Sequence, residues 1–204
     1  MTRRTHAAVV AALVAAVAAG CGGDQEEPEP SDPSPATTEP ALTAPPTTTP
    51  EEQAEAEIIA IFEDLIAAWD EFKSSASDYG GGSGIAWNVE LVETWPLKAQ
   101  ASVELTNWVA VWRQTEIEQR GNSVIVGHEV ATIQFDAAGS GLHEAASTAC
   151  LDLSALRYVT FDEDVAELDY VPDRSQTWTM DWAFGPDKAD WRLEAIDITR
   201  NEQC

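Results

Sequence analysis

The stretch Arg174–Thr199, RSQTWTMDWAFGPDKADWRLEAIDIT, decides the fold. Arg174 to Phe184 and Ala189 to Thr199 are rich in alternating and β-branched positions, and Gly185-Pro186-Asp187-Lys188 between them is a turn. Side chains two apart share one face of a strand, so Trp178, Met180, Trp182 and Phe184 line up on the same side. Two strands joined by a short turn make a hairpin. Working back along the chain, Val124 to Phe135 and Leu142 to Leu153 carry the same signature. They are separated by Ala137-Ala138-Gly139-Ser140-Gly141, and an acidic loop follows the second. The pattern predicts an antiparallel sheet from Gly121 onward.

Before Gly121 the period is helical. Thr49 is an N-cap, Pro50 fits the first turn, and Glu52 completes a capping box. Ile58, Phe62, Leu65, Ile66, Trp69 and Phe72 then recur on one helical face, and Lys73 suits the dipole of the last turn. The Tyr79-Gly80-Gly81-Gly82-Ser83-Gly84 run ends that helix in a flexible loop. Ile85 to Thr94 reads either way: Ile85, Val89 and Val92 suit a helix, Trp87, Val89 and Leu91 a strand. Pro96 opens a further helix with the stripe Leu97, Ala101, Leu105, Trp108 and Trp112, in preference to a strand near Trp108 to Glu118. Helices first and a sheet after is the α+β order, with the helices on one sheet face.

The 204 residues carry 36 Asp and Glu against 11 Lys and Arg, a formal charge of −25. Nucleic acid is excluded as a natural partner, because phosphate binding needs a basic stripe. No internal apolar run reaches the roughly 18 residues of a spanning helix. Residues 1–20 read as a lipoprotein signal peptide: Arg3 and Arg4 precede thirteen residues without a polar side chain, Ala7 to Ala19. The run ends Ala18-Ala19-Gly20-Cys21, which is similar to a lipobox with Cys21 as the lipidated residue, although Ala18 stands where Leu is usual. Acyl chains on Cys21 would anchor the chain to a membrane without crossing it.

Residues 21–50 form the lipidated cysteine and a disordered tether. From residue 22 to 50 there are eight of the eleven prolines, six Thr, six acidic residues and no basic or aromatic one. Fully extended, that segment would reach roughly 90 Å. Residues 51–204 hold all eight Trp, five Phe and three Tyr, enough for one core, and 30 acidic against nine basic residues. Cys150, on a predicted strand, and Cys204, the last residue, are natural disulfide partners outside the cytoplasm. Their bridge would close a loop of about 55 residues, worth roughly 4 kcal/mol.

These features together resemble the NTF2-like superfamily, in the form of the small extracytoplasmic lipoproteins of actinobacteria. The resemblance rests on Cys21, the Pro/Thr tether, the long first helix, Cys150-Leu151-Asp152, Trp191 in the final strand and Cys204. It implies a cone-shaped, curved antiparallel sheet whose concave side faces the helices and often forms a pocket. Family members include isomerases, dehydratases and non-catalytic binding modules, so the fold does not convey an activity.

No motif names a reaction. His128 precedes Glu129 on a strand, so the two point to opposite faces and cannot pair. His143 lies beside a glycine turn. Asp181, on the face opposite Trp178 and Trp182, and Asp197 are possible pocket carboxylates of the isomerase kind. The acidic run Asp162-Glu163-Asp164 lacks an EF-hand pattern. Trp108, Trp112, Trp178 and Trp182, with Asp181 and His128, are the candidate pocket residues; no metal, cofactor or catalytic set is expected. The expectation is a lipid-anchored extracytoplasmic domain that binds an apolar ligand or a basic-faced envelope protein. A small NTF2-like enzyme acting on an apolar substrate is the alternative.

Overall fold

Helix α1, Pro50–Ser74, begins where its capping box closes. The Thr49 backbone N–H donates to Glu52 Oε2 at 2.8 Å, and the Glu52 N–H donates to Thr49 Oγ1 at 3.2 Å. The computed structural model describes residues 48–80, 86–136, 139–168, 171–185 and 188–200, all within the unit Pro46–Cys204. Expectations for the signal peptide, Cys21, the tether, the glycines after Gly80, Pro186-Asp187 and Cys204 lie outside these residues. A single 3₁₀ turn, Ala76–Asp78, follows α1, and then come α2, Trp87–Glu93, and α3, Ala99–Gln114.

Among the described residues six strands follow: β1 Ile117–Arg120, β2 Val124–Gln134, β3 His143–Asp152, β4 Arg157–Thr160, β5 Ser175–Gly185 and β6 Lys188–Arg200. The last two form the hairpin that the opening stretch predicts. Strands β2-β3-β5-β6 make one antiparallel sheet in that order, and β1 and β4 pair as a separate two-stranded ribbon. The fold is α+β, with helices before a curved, unclosed antiparallel sheet. Register shifts in β2 near Val126 and Ala131, and in the β5–β6 pair at Asp181/Trp182, are bulges that bend strands of this kind.

Alternation sorts the sheet cleanly. Ala145, Ser147, Ala149 and Leu151 of β3, with Trp178, Met180 and Trp182 of β5, are buried beside Ile58, Phe62 and Leu65 of α1 in one core. The intervening Thr148, Thr179 and Asp181 are exposed on the other face. Apolar burial at about 25 cal/mol per Å² makes this layer the main stabilising term.

Three sequence expectations are refined. Ile85 to Thr94, left open between helix and strand, contains α2. Helix α3 starts at Ala99 and not at Pro96, because the segment before it pairs with β6: Leu193 N–H donates to Pro96 O, and Lys98 N–H to Leu193 O, both at 2.9 Å. Part of the region between β3 and β5, expected to be acidic loop, is strand β4, held against β1 from Ile117↔Thr160 to Arg120↔Arg157.

Candidate functional site

Between α3, the end of α1 and the open end of the sheet lies a cavity of about 660 Å³. Its aromatic walls come from four elements, Tyr158 of β4 among them. Trp108 and Trp112 stand one turn apart on α3, Trp69 comes from α1, and Trp178 from β5. The rings touch in tilted and edge-on pairs: Trp108–Trp178 at 6.3 Å, Trp69–Trp112 at 6.5 Å and Trp112–Tyr158 at 6.0 Å between centroids. Leu151, Leu153, Ile196 and Ile198 are among its aliphatic lining, while Glu104, Asp173, Asp197 and Arg200 also border the cavity. Gln100 fastens α3 to β6, donating from Nε2 to Ile196 O at 3.2 Å and accepting from Ile196 N–H at 2.9 Å.

One end of the cavity is polar and buried. Lys73 is only 6% exposed, and its Nζ lies 3.0 Å from Asp70 Oδ1. The ammonium also sits 5.3 Å from the Trp69 ring centre and 5.7 Å from that of Trp112. Asp70 is saturated with donors. It accepts from Gln119 Nε2 and Ser123 Oγ at 2.9 Å each, and from the Ser123 backbone N–H. Burial alone would raise the Asp70 carboxyl, but the Lys73 ammonium and these hydrogen bonds outweigh it and hold the group below its ordinary value. Burial pushes Lys73 below the usual lysine range, opposed by Asp70. Two buried polar atoms lack a partner among the described residues here, Trp112 Nε1 and Gln119 Oε1.

Sequence reasoning set Lys73 against the dipole of the last turn, where it stands; the structure adds that it is buried there. Lys73 lies four residues after Trp69, and Asp70 four after Ile66, so both fall on the apolar stripe that faces inward. That spacing admits burial, and the partner that makes it tolerable, Gln119, comes from β1.

The six candidate pocket residues divide evenly. Trp108, Trp112 and Trp178 line the cavity. Trp182 shares the face of Trp178 but lies four residues along β5, roughly 13 Å away, where it is fully buried. Its indole Nε1–H donates to Ser147 Oγ at 2.8 Å. His128 is there too: its Nε2 lies 3.0 Å from Ser147 Oγ, and its ring packs 4.8 Å from Phe62. Burial lowers the His128 pKa, which keeps the ring neutral near pH 7. A serine beside a histidine suggests a nucleophile and its base. Here Ser147 is 1% exposed, its oxygen already accepts from an indole, and His128 Nδ1 is buried without a partner. The arrangement packs the core and offers no reacting atom to a substrate.

Asp181 lies on the outer sheet face, opposite Ala146 and Ala195 in register, where it lines an acidic groove with Glu144 and Glu194. It is therefore outside the tryptophan cavity, as strand alternation requires. His143 stacks on Phe184 at 5.3 Å. Cys150 is also on the outer face, opposite Thr177. Among the described residues no group of three or more His, Cys, Asp or Glu is placed to hold a metal ion.

No protein-family model matches the chain, and no curated protein does. Among solved structures, a periplasmic fragment of TraM is similar at 7% identity and a TM-score of 0.37, over 68% of this chain and 97% of that one. Aln2 from a Streptomyces species is similar at 11% identity and a TM-score of 0.32, over 76% of this chain and 93% of that one.

Proposed function

We propose that this chain is a lipid-anchored extracytoplasmic protein of NTF2-like build, whose domain binds a small apolar ligand without turning it over. The observation that carries the reading is the cavity of about 660 Å³ walled by Trp69, Trp108, Trp112 and Trp178. Its volume and its mix of aromatic walls with a few polar groups suit a small-molecule site. The one charged pair at its closed end is internally satisfied on the carboxylate side, so that carboxylate is poorly placed to act as a base. Anchoring is supported by the short apolar run ending at Cys21, and the Pro/Thr segment after it gives the domain its reach. A Cys150–Cys204 bridge fits this compartment. Cys150 sits one strand from Thr177, which pairs with Thr199 only five residues before Cys204. Two strand spacings of about 4.8 Å are within the reach of five residues.

The test is a fluorescence titration of the mature chain with N-phenyl-1-naphthylamine, alongside Leu153→Trp, which fills the cavity. Saturable one-site binding that Leu153→Trp abolishes without lowering the unfolding temperature is expected; non-saturable binding, or equal binding by Leu153→Trp, contradicts the reading. Anchoring is tested separately by Cys21→Ala, which should move the protein out of the membrane fraction.

A further inference from the structure

We propose that the closed end of the cavity selects a neutral ligand head that both accepts and donates hydrogen bonds, an amide or lactam borne on an aromatic body. This deepens the binding reading above and rests on it. Three groups at that end have unused capacity. Lys73 Nζ carries three N–H donors and has Asp70 as its ion-pair partner. The Trp112 Nε1–H donor is buried and unpartnered. Gln119 Oε1 is a buried acceptor that, like Trp112 Nε1, has no partner among the described residues. The orientation of the Gln119 amide is fixed, because its Nε2 donates both to Asp70 Oδ1 at 2.9 Å and to Gly121 O at 3.1 Å. Oε1 must therefore point away from both acceptors. Gln119 Nε2 and Lys73 Nζ meet at the same Asp70 oxygen, and Lys73 Nζ lies 5.7 Å from the Trp112 ring centre, so the three side chains cluster at this end.

The charge of the head follows from what is already paired. Lys73 and Asp70 cancel, and the cavity border adds Glu104, Asp173 and Asp197 against Arg200. An anionic head would gain little from an ammonium already neutralised, and would face an acidic border. A cationic head would lie against Lys73 in a site of low dielectric. A neutral head avoids both costs. Its carbonyl would accept from Lys73 and Trp112, and its N–H would donate to Gln119 Oε1. Both orphaned atoms are closed to solvent, yet Trp112 as a residue is only half-buried, so seating the head involves a turn of that indole.

A matched probe series tests the idea by calorimetric titration of the mature chain: 2-naphthamide, 2-naphthoate, naphthalen-2-ylmethanamine and 2-methylnaphthalene. The amide should bind at least about tenfold tighter than 2-methylnaphthalene, as one to two satisfied buried hydrogen bonds would give. Trp112→Phe removes the indole N–H together with part of the wall, so it should weaken both ligands but the amide by more, narrowing the ratio between amide and 2-methylnaphthalene; an unchanged ratio overturns the role given to that N–H. Equal affinity of amide and hydrocarbon, or tightest binding by the naphthoate or the amine, overturns this inference while leaving the binding reading standing. Failure of all four probes to bind overturns the binding reading itself, and this inference with it.

Discussion

Ser147 holds two rings at once, taking the Trp182 indole N–H at 2.8 Å and lying 3.0 Å from His128 Nε2. Ser147→Ala would strand both groups in the core, at about 1–3 kcal/mol for each buried polar atom left without a partner. Urea unfolding should register this as a lower midpoint at unchanged slope; an unmoved midpoint would mean that neither contact matters. His128 adds a pH dependence. Burial lowers its folded pKa, while the unfolded imidazole takes up its proton near 6.5. The stability of the neutral ring is whole above that value and is lost as pH falls through the lower folded one. Unfolding free energy measured from pH 7.5 downward should therefore fall more steeply in the native protein than in His128→Gln. Strand parity was enough to read the separation of His128 from Glu129. It could not reveal the Asp70–Lys73 pair as buried. The Asp70 partner Gln119 comes from β1, 49 residues further on, and a charged residue on a helix is ordinarily solvated unless such a partner is known.

At the level of elements, the long signals were legible. The capping box set the start of α1 within one residue, and the β5–β6 hairpin followed from alternation around a Gly-Pro turn. Four-residue β1 and β4 have no period long enough to read; they exist because each partners the other and because Glu118 is tied to the 3₁₀ turn. Ser77 donates to Glu118 Oε1 from its N–H at 3.1 Å and its hydroxyl at 2.6 Å, and Arg120 lies 2.9 Å from Oε2. The start of α3 was misplaced for a similar reason, since Pro96 to Lys98 are claimed by β6. Just after α3, Glu116 adopts φ 56°, the left-handed conformation that commonly ends a helix and favours glycine. Glu116→Gly should stabilise the domain by about 1 kcal/mol, visible as a higher thermal midpoint; a lower midpoint would mean that the Glu116 side chain makes a contact worth more than the backbone strain.

For the whole molecule, composition and order of elements were enough to predict the α+β class, and the placement of the cavity needed the fold. Trp108, Trp112 and Trp178 are 66 or more positions apart between α3 and β5, and only packing of α3 across the sheet brings them together with Trp69. The domain's 30 acidic residues against nine basic ones repel polyanions, which leaves apolar burial as the attraction that the cavity offers. The most direct measurement is a titration of the protein with 2-methylnaphthalene, followed by NMR of the tryptophan indole N–H signals. The account expects saturable shifts at Trp69, Trp108, Trp112 and Trp178, with Trp182 and Trp191 unmoved in the core. Shifts confined to Trp182 and Trp191, or none at any indole, would contradict it.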